Sequence, residues 1–397
     1  MDTTVDYDFN NTEIAFEAKS DKELHKAHLL FASINNNLIS GFGTKGVKLA
    51  LKLNLPVKKL IKNTVFQQFC GGEDIPQCQN TIEKLARYKI KTILDYAVEG
   101  AETEESYEHT TDEIIRTIER AKKSPNIPFS VFKPTGLGSA AILEKKQLRK
   151  PLTEQEKEAF ERIEERFDKI CRTAFLNDVR IMIDSEDSWY QEAIDDLVYE
   201  MMIRYNKKKP IVYNTYQMYR KYMLENLKKA FLMAARENIF LGAKLVRGAY
   251  MEKERARASA KGYEDPILAD KAATDQAYDA ALKFCIDNKQ RIALVSGSHN
   301  EYSNYYLTVL MDKYGIRKND ENVYFAQLYG MSDHISFNLA KAGFNVVKYV
   351  PYGPVSSVMP YLFRRAEENT AIAGQSSREY LLIKRELRRR KQARSTV

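Results

Sequence analysis

From about residue 90 onward, short apolar runs alternate with long stretches of helical period. The runs are Thr92–Tyr96, Phe129–Phe132, Ile181–Ile183, Pro210–Tyr213, Ala243–Val246, Ile292–Val295, Val323–Phe325 and Asn345–Tyr349. Between and after them lie amphipathic segments near 111–123, 153–177, 189–207, 217–238, 266–288, 300–314, 332–342 and 355–370. A short apolar run suits a strand buried on both faces, whereas apolar residues three and four apart line one side of a helix. Eight strand–helix pairs in strict alternation predict an α/β fold, a (βα)8 barrel. The preceding residues are polar and helical in pattern, without clear strands. The expected organisation is an N-terminal helical arm over 1–88, the barrel over 89–375 and a basic tail over 376–397. No internal repeat or low-complexity linker interrupts it.

In such a barrel the chemistry gathers at the C-terminal ends of the strands. Those ends carry Asp95, Glu99, Lys133, Asp184, Asn214, Arg247, Tyr250, Ser298, His299, Gln327 and Tyr349. Alternation puts Phe129, Val131 and Lys133 on one face, and Met182 with Asp184. A charge on the same face as core residues is costly unless paired or used. Each polar residue alone is more often a device for solvating a strand end; several on one rim point to a site.

The stretch from Lys348 to Thr370 reads as a strand end, a turn and a helix, with Pro354 expected in the first helical turn. Val355, Val358, Leu362 and Ala366 form one apolar stripe, and Tyr361, Arg364, Arg365 and Glu368 fall on a neighbouring arc. Two guanidinium forks on one arc can hold a carboxylate, and Glu368 is placed to orient one of them. A solvated charged face is the plain alternative.

Composition narrows the classes. With 397 residues, 44% apolar and 29% charged, the chain is a globular protein with a sizeable core. No apolar run approaches the roughly 20 residues that cross a bilayer. The acidic start (Asp2, Asp6, Asp8, Glu13, Glu17) argues against a secretory or organellar leader. Four cysteines without metal-ligand spacing suit a reducing compartment, and five scattered histidines make no zinc site; no metal is expected. The net charge of +8 is concentrated in Lys45–Lys62 and in the tail from Lys384 to Arg394. The first could lie on an anionic membrane, and the second reads most simply as a frayed, solvated helix end. Gly41–Gly46 matches G-x-G-x-x-G, but no strand precedes it and the next acidic residue, Glu73, comes too late for a ribose ligand.

Residues 244–250 (KLVRGAY), the Gly330–Asp333 turn, and the TyrGlyPro, TyrLeuPheArgArg and GluAsn pieces near the end together resemble the proline dehydrogenase family. Phe132–Lys133, Ile183–Asp184, Asn214–Gln217 and Ser298–Asn300 follow in the family's order, so the resemblance spans roughly 85–375. The version here is similar to the monofunctional mitochondrial branch and its bacterial relatives. The resemblance implies a distorted (βα)8 barrel that binds FAD, oxidises L-proline to Δ1-pyrroline-5-carboxylate and passes electrons to a membrane quinone. It implies that Arg364, Arg365 and Lys133 grip the proline carboxylate. Tyr349, Tyr361, Tyr250 and Leu245 would wall the ring, with Asp184 lining the site and Lys244 near the reactive edge of the flavin. Asn214, Arg247, Gly248, Ala249, Ser298 and His299 would hold FAD, with Glu368 close by, and Glu99 would pair with an arginine when substrate is absent. Lys244, Arg247, Asn214 and Ser298 stand where the bacterial pattern commonly has Arg, Lys, Gln and Thr. Alternation sends Lys244 and Arg247 to opposite faces unless the strand ends near Arg247. The expected setting is cytoplasmic, peripheral on the inner face of a bacterial inner membrane rather than in a mitochondrial matrix, with no nucleic-acid partner. Two rivals remain on the residues alone: a barrel clamping a phosphorylated substrate, and a basic membrane- or RNA-binding module.

Overall fold

Alternation of strand and helix closes the sheet on itself. The computed structural model describes residues 6–35, 61–98, 102–371 and 375–395, with side chains at 34–35, 366–371 and 375–377 outside the description. Eight strands form a closed barrel in chain order: β1 Ile90–Tyr96, β2 Phe129–Phe132, β3 Arg180–Ile183, β4 Val212–Gln217, β5 Leu241–Val246, β6 Ile292–Gly297, β7 Val323–Leu328 and β8 Val346–Tyr352. The expected barrel is the one observed; Phe129–Phe132 keeps both bounds, and the other strands differ from the expected runs at one or both ends. β4 starts at Val212 and not Pro210, since proline has no N–H for the ladder. The Asn206 side chain instead accepts from the N–H groups of Ile211 and Val212, at 3.0 and 2.8 Å. β8 runs on to Tyr352, paired in parallel with β1 from Ile90↔Val346 to Tyr96↔Tyr352. Helices Ala140–Gln147 and Met251–Lys261 come as additions to the expected pattern. The glycine-rich Gly41–Gly46 and nearly all of Lys45–Lys62 lie outside the described residues.

The chain divides into two units, 100–326 and 1–99 with 327–397. In the first, Phe129 of β2 meets Tyr213 and Tyr324 edge to face, with ring centroids 5.4 and 5.0 Å away. β2 and β7 are not neighbours, so these rings meet through the barrel interior. Register then assigns the faces: Tyr213, Thr215 and Gln217 of β4 point inward, as do Gly242, Lys244 and Val246 of β5. Gly242 is required there, because a Cβ would stand 2.6 Å from the Tyr213 ring.

In the second unit, the basic segment read as a solvated helix end is a packed helix, Gln375–Ser395. Its Leu382 and Ile383 are buried. Glu386, fully buried, pairs with Arg389 at 2.8 Å and Arg390 at 2.7 Å. Arg390 also donates to the carbonyls of Phe16 and Lys19 and pairs with Asp21 at 2.9 Å. Arginines that looked like surplus charge are thus largely consumed in joining the two ends of the chain.

The same unit buries an ion cluster. Lys348 of β8 is fully buried and lies 2.9 Å from Asp333, which also pairs with Lys19 at 3.2 Å. Lys348 donates further to the carbonyls of Leu328 and Met331. Burial works to raise the Asp333 carboxyl, but Lys348 and then Lys19 hold it down at about 2. A depressed carboxyl contributes stability that is present above its ordinary value of 3.8 and lost as pH falls toward 2. Breaking a buried pair leaves a stranded charge, which costs about 3–5 kcal/mol. Asp333→Asn should therefore lower unfolding free energy by about that amount in urea titrations. Asp333→Asn with Lys348→Met should regain much of the loss; equal instability of both variants would show that the charges do not compensate each other.

Candidate active site

Unit 100–326 assembles its polar groups where strands end. Lys133 follows β2 directly and Asp184 follows β3 directly. Lys244, inward on β5, donates to the Asp184 carboxylate at 2.6 Å, and both side chains are largely shielded from solvent. An ammonium in the barrel interior is tolerable because this carboxylate neutralises it.

β5 ends at Val246, so Arg247 is released from strand alternation and need not oppose Lys244. It is held on three sides: Nε donates to Asp275 at 2.8 Å, Nη1 to Ser298 Oγ at 2.8 Å and Nη2 to Ser303 Oγ at 2.9 Å. Its guanidinium also lies 4.4 Å over the Tyr278 ring. Three of about five N–H donors are thus used among the described residues, which fixes the plane of the fork and leaves the others for an anion. Gly248 follows with φ +133, and a Cβ there would fall 2.3 Å from the Tyr219 ring. Ala249 and Tyr250 lead into the helix Met251–Lys261, for which Tyr250 is the N-cap residue. Ser298 is buried just past β6, its hydroxyl accepting from Arg247 and from Asn300 N–H, and His299 beside it is half-buried.

Two expected site residues are not on that inner face. Asn214 lies on the opposite face of β4, where its amide donates to Asp195 of the helix Ser188–Tyr205 at 2.9 Å. Leu245 is opposite Ser296 in register, and the Ser296 hydroxyl bonds to Tyr278 of the surrounding helix Lys271–Asp287 at 2.9 Å. Leu245 accordingly faces the helix layer.

Other residues belong to this region without having been singled out. Gln217 is one pleat beyond Thr215 on the inward face of β4; its Nε2 donates to the Glu186 carbonyl at 3.1 Å. Its Oε1 is buried with no partner among the described residues. The polar end of the Asn214–Gln217 piece was the available signal. Glu186 and Asp187 extend the acidic run after Asp184, and both are buried. Glu254, fully buried on the unanticipated helix, accepts from Ser188 N–H at 2.7 Å, and Lys253 pairs with Asp187 at 2.6 Å. The sequence placed Glu254 in a charged stretch that reads as exposed.

In the other unit, Tyr349 is buried on β8. The following helix begins at Met359, with Pro360 in its first turn. Pro354 instead closes the preceding turn, its carbonyl accepting from Ser357 N–H at 2.8 Å. The helix is delayed because Gly353, at φ +145, sends the chain through a turn first. Val355, Val358 and Leu362 are buried as the apolar stripe requires. Tyr361 and Arg365 are buried too, with the Arg365 guanidinium 5.3 Å from the Tyr361 ring centroid, while Arg364 is half-buried. The arginine pair is therefore not a solvated face. Glu99 and the Glu368 side chain lie outside the described residues.

Chemically, the 100–326 rim offers a buried ammonium, an amide oxygen on the same inward face without a partner among the described residues, and a fixed guanidinium where β5 ends. That set complements a planar group bearing both donors and acceptors and joined to an anion.

A family model described as proline dehydrogenase matches residues 78–378. Proline dehydrogenase 1, mitochondrial, of Dictyostelium discoideum is 36% identical, covering 96% of this chain and 74% of the relative. The carbapenem antibiotics biosynthesis protein CarD of Pectobacterium carotovorum is also 36% identical, over 81% of this chain and 83% of its own. Proline dehydrogenase 2, mitochondrial, of Arabidopsis thaliana is 33% identical over 84% and 79%. Among solved structures, proline utilization A from Bdellovibrio bacteriovorus, inactivated by N-propargylglycine, shares the fold with a TM-score of 0.71 at 20% identity. It covers 90% of this chain, which spans 38% of that longer protein. The chain belongs to the proline dehydrogenase family, oxidoreductases that act on proline in the first step of its catabolism.

Proposed function

We propose that the chain carries out FAD-dependent oxidation of L-proline to Δ1-pyrroline-5-carboxylate and passes the electrons to a membrane quinone. The observation that carries this reading is the inward Lys244–Asp184 pair at 2.6 Å together with Gln217 Oε1 on the same face, which has no partner among the described residues. The edge of an isoalloxazine ring has an N–H donor and carbonyl acceptors, and an amide oxygen with an ammonium donor matches both. When bound, FAD supplies the acceptor for the hydride from the carbon next to the proline nitrogen.

The remaining roles belong to the protein. Lys244 donates to the cofactor while Asp184 holds its ammonium in place. Arg247, already anchored by Asp275, Ser298 and Ser303, meets the pyrophosphate, and Gly248 and Ala249 let that anion approach the backbone. His299 and Ser298 complete the cofactor side, and Asn214 supports β4 through Asp195. Arg364 and Arg365 bind the proline carboxylate as paired donors, with Tyr361 fixing the Arg365 plane and Glu368 orienting its neighbour. Lys133 is assigned to the same carboxylate. Tyr349, Tyr250 and Tyr361 exclude water from the ring, and Leu245 backs that wall through the strand. Glu99 is assigned to pair with an arginine when substrate is absent. A cationic setting disfavours the protonated amine, so the substrate nitrogen reacts as the neutral form.

Quinone reduction calls for contact with a membrane, peripheral and on the inner face of a bacterial inner membrane in this reading. Exposed Arg385 and Arg388 on the helix Gln375–Ser395 suit anionic headgroups. Among the described residues no helix is long and apolar enough to cross a bilayer.

The purified protein should be yellow and should bleach when given proline without oxygen. Colourless protein that retains inorganic phosphate would instead favour a phosphorylated substrate, and salt-sensitive RNA retention would favour a binding module. Arg364→Met and Arg365→Met should each raise KM for proline by an amount equivalent to about 2–4 kcal/mol, the loss of a charge-assisted contact to a shielded carboxylate. Unchanged KM in both variants would remove the carboxylate clamp. His299→Ala should purify with substoichiometric flavin, measured as the ratio of visible to 280 nm absorbance, while KM in the loaded fraction stays near the parent value.

A further inference from the structure

The loop after β3 contains a second carboxylate, two residues beyond Asp184, with no part in the scheme above. Glu186 is buried, and its two oxygens converge on one residue. Thr135 N–H donates to Oε2 at 2.8 Å and Thr135 Oγ1 donates to Oε1 at 2.5 Å. Thr135 sits in the turn Pro134–Gly136, which begins immediately after Lys133 and is closed by Gly136 N–H donating to the Lys133 carbonyl at 3.0 Å. That turn has too few residues to satisfy its own first N–H groups, so the carboxylate supplies the acceptor that the Thr135 N–H would otherwise lack.

Glu186 is itself held from two sides. Its N–H donates to Gln191 Oε1 at 2.6 Å, and its carbonyl accepts from Gln217 of β4. The carboxylate is therefore a rigid post on which the Lys133 turn hangs. Burial pushes its pKa up to about 7, while the Thr135 hydrogen bonds and the Lys133 charge pull the other way. A group that costly to bury would be poorly chosen for filler alone. The spacing along the loop also matters: Asp184 fixes the Lys244 ammonium, and Glu186 fixes the backbone from which the Lys133 ammonium projects.

We propose that Glu186 is a positioning residue for substrate binding, acting through Thr135 to set the point from which Lys133 reaches the substrate carboxylate. This rests on the assignment of Lys133 as a carboxylate ligand. The side chain makes no contact with the reacting atoms in this scheme, so its loss should appear in KM and leave kcat nearly intact.

The test is a mutant cycle on the flavin-loaded enzyme, with KM and kcat for proline measured for Lys133→Met, Glu186→Ala and the double variant. Both single variants should raise KM about tenfold with kcat within about twofold, and the double variant should match Lys133→Met alone, because two residues acting through one contact do not add. Glu186→Gln keeps an acceptor for the N–H and a polar partner for the hydroxyl, and should restore KM to near the parent value. Unchanged KM in Glu186→Ala, or effects that multiply in the double variant, would overturn the proposal. Unchanged KM in Lys133→Met would instead remove the assignment on which it rests. Should Glu186→Ala not fold, Thr135→Val carries the same question: KM should rise about threefold at constant kcat, and an unchanged KM would overturn the proposal.

Discussion

Charged side chains that face the inside of a closed barrel must be neutralised there, and this requirement organises the 100–326 rim. Lys244 points inward because β5 alternation leaves it no other direction, and it can remain charged because Asp184 ends β3 within 2.6 Å. Termination of β5 at Val246 then frees Arg247 to turn toward Asp275, Ser298 and Ser303. Lys244 on β5 and Arg247 just past its end therefore lie in different polar environments, one buried and paired, one clamped by three acceptors. The proposed hold on a flavin depends on that division.

The segment from Asp184 to Ser188 ties the rim together. Asp184 meets Lys244, Glu186 meets Thr135, Asp187 meets Lys253 and Ser188 meets Glu254. Four successive contacts reach two strand ends and the helix Met251–Lys261. Each buries a carboxylate against a donor, so the loop has little freedom to shift without stranding a charge. The proposed site, in which proline would be held against a flavin, gains from such rigidity, since misplacement by a fraction of an ångström costs rate.

The other unit solves a comparable problem with Asp333. Lys348 is fully buried on β8, and Asp333 with Lys19 turns an isolated charge into a compensated cluster. Glu386 does the same for the helix Gln375–Ser395, where Arg390 reaches Phe16, Lys19 and Asp21. The family's Gly330–Asp333 turn thus owes part of its role to stability: Asp333 pairs with Lys348, the residue before Tyr349 on β8, and Lys348 in turn donates to the Met331 carbonyl of that turn.

Alternation of apolar runs and amphipathic segments was enough to specify eight strand–helix pairs, and the motifs at strand ends were enough to specify the family. Both signals are local: side-chain period and short strings survive without knowledge of distant contacts. Facing and pairing are different. Asn214 and Leu245 carry the family's letters, yet only the register with β5 and β6 shows that they turn toward the helices. The arginines of the last helix read as solvent-facing until packing brought Glu386 and the Phe16 carbonyl against them. Glu186 and Glu254 looked like ordinary charged positions, because the partners that make them structural lie 51 and 66 residues away. Sequence by itself determined the fold and the kind of chemistry; tertiary structure decided which charges are buried and paired, because the cost of a buried charge depends on neighbours brought in from distant parts of the chain.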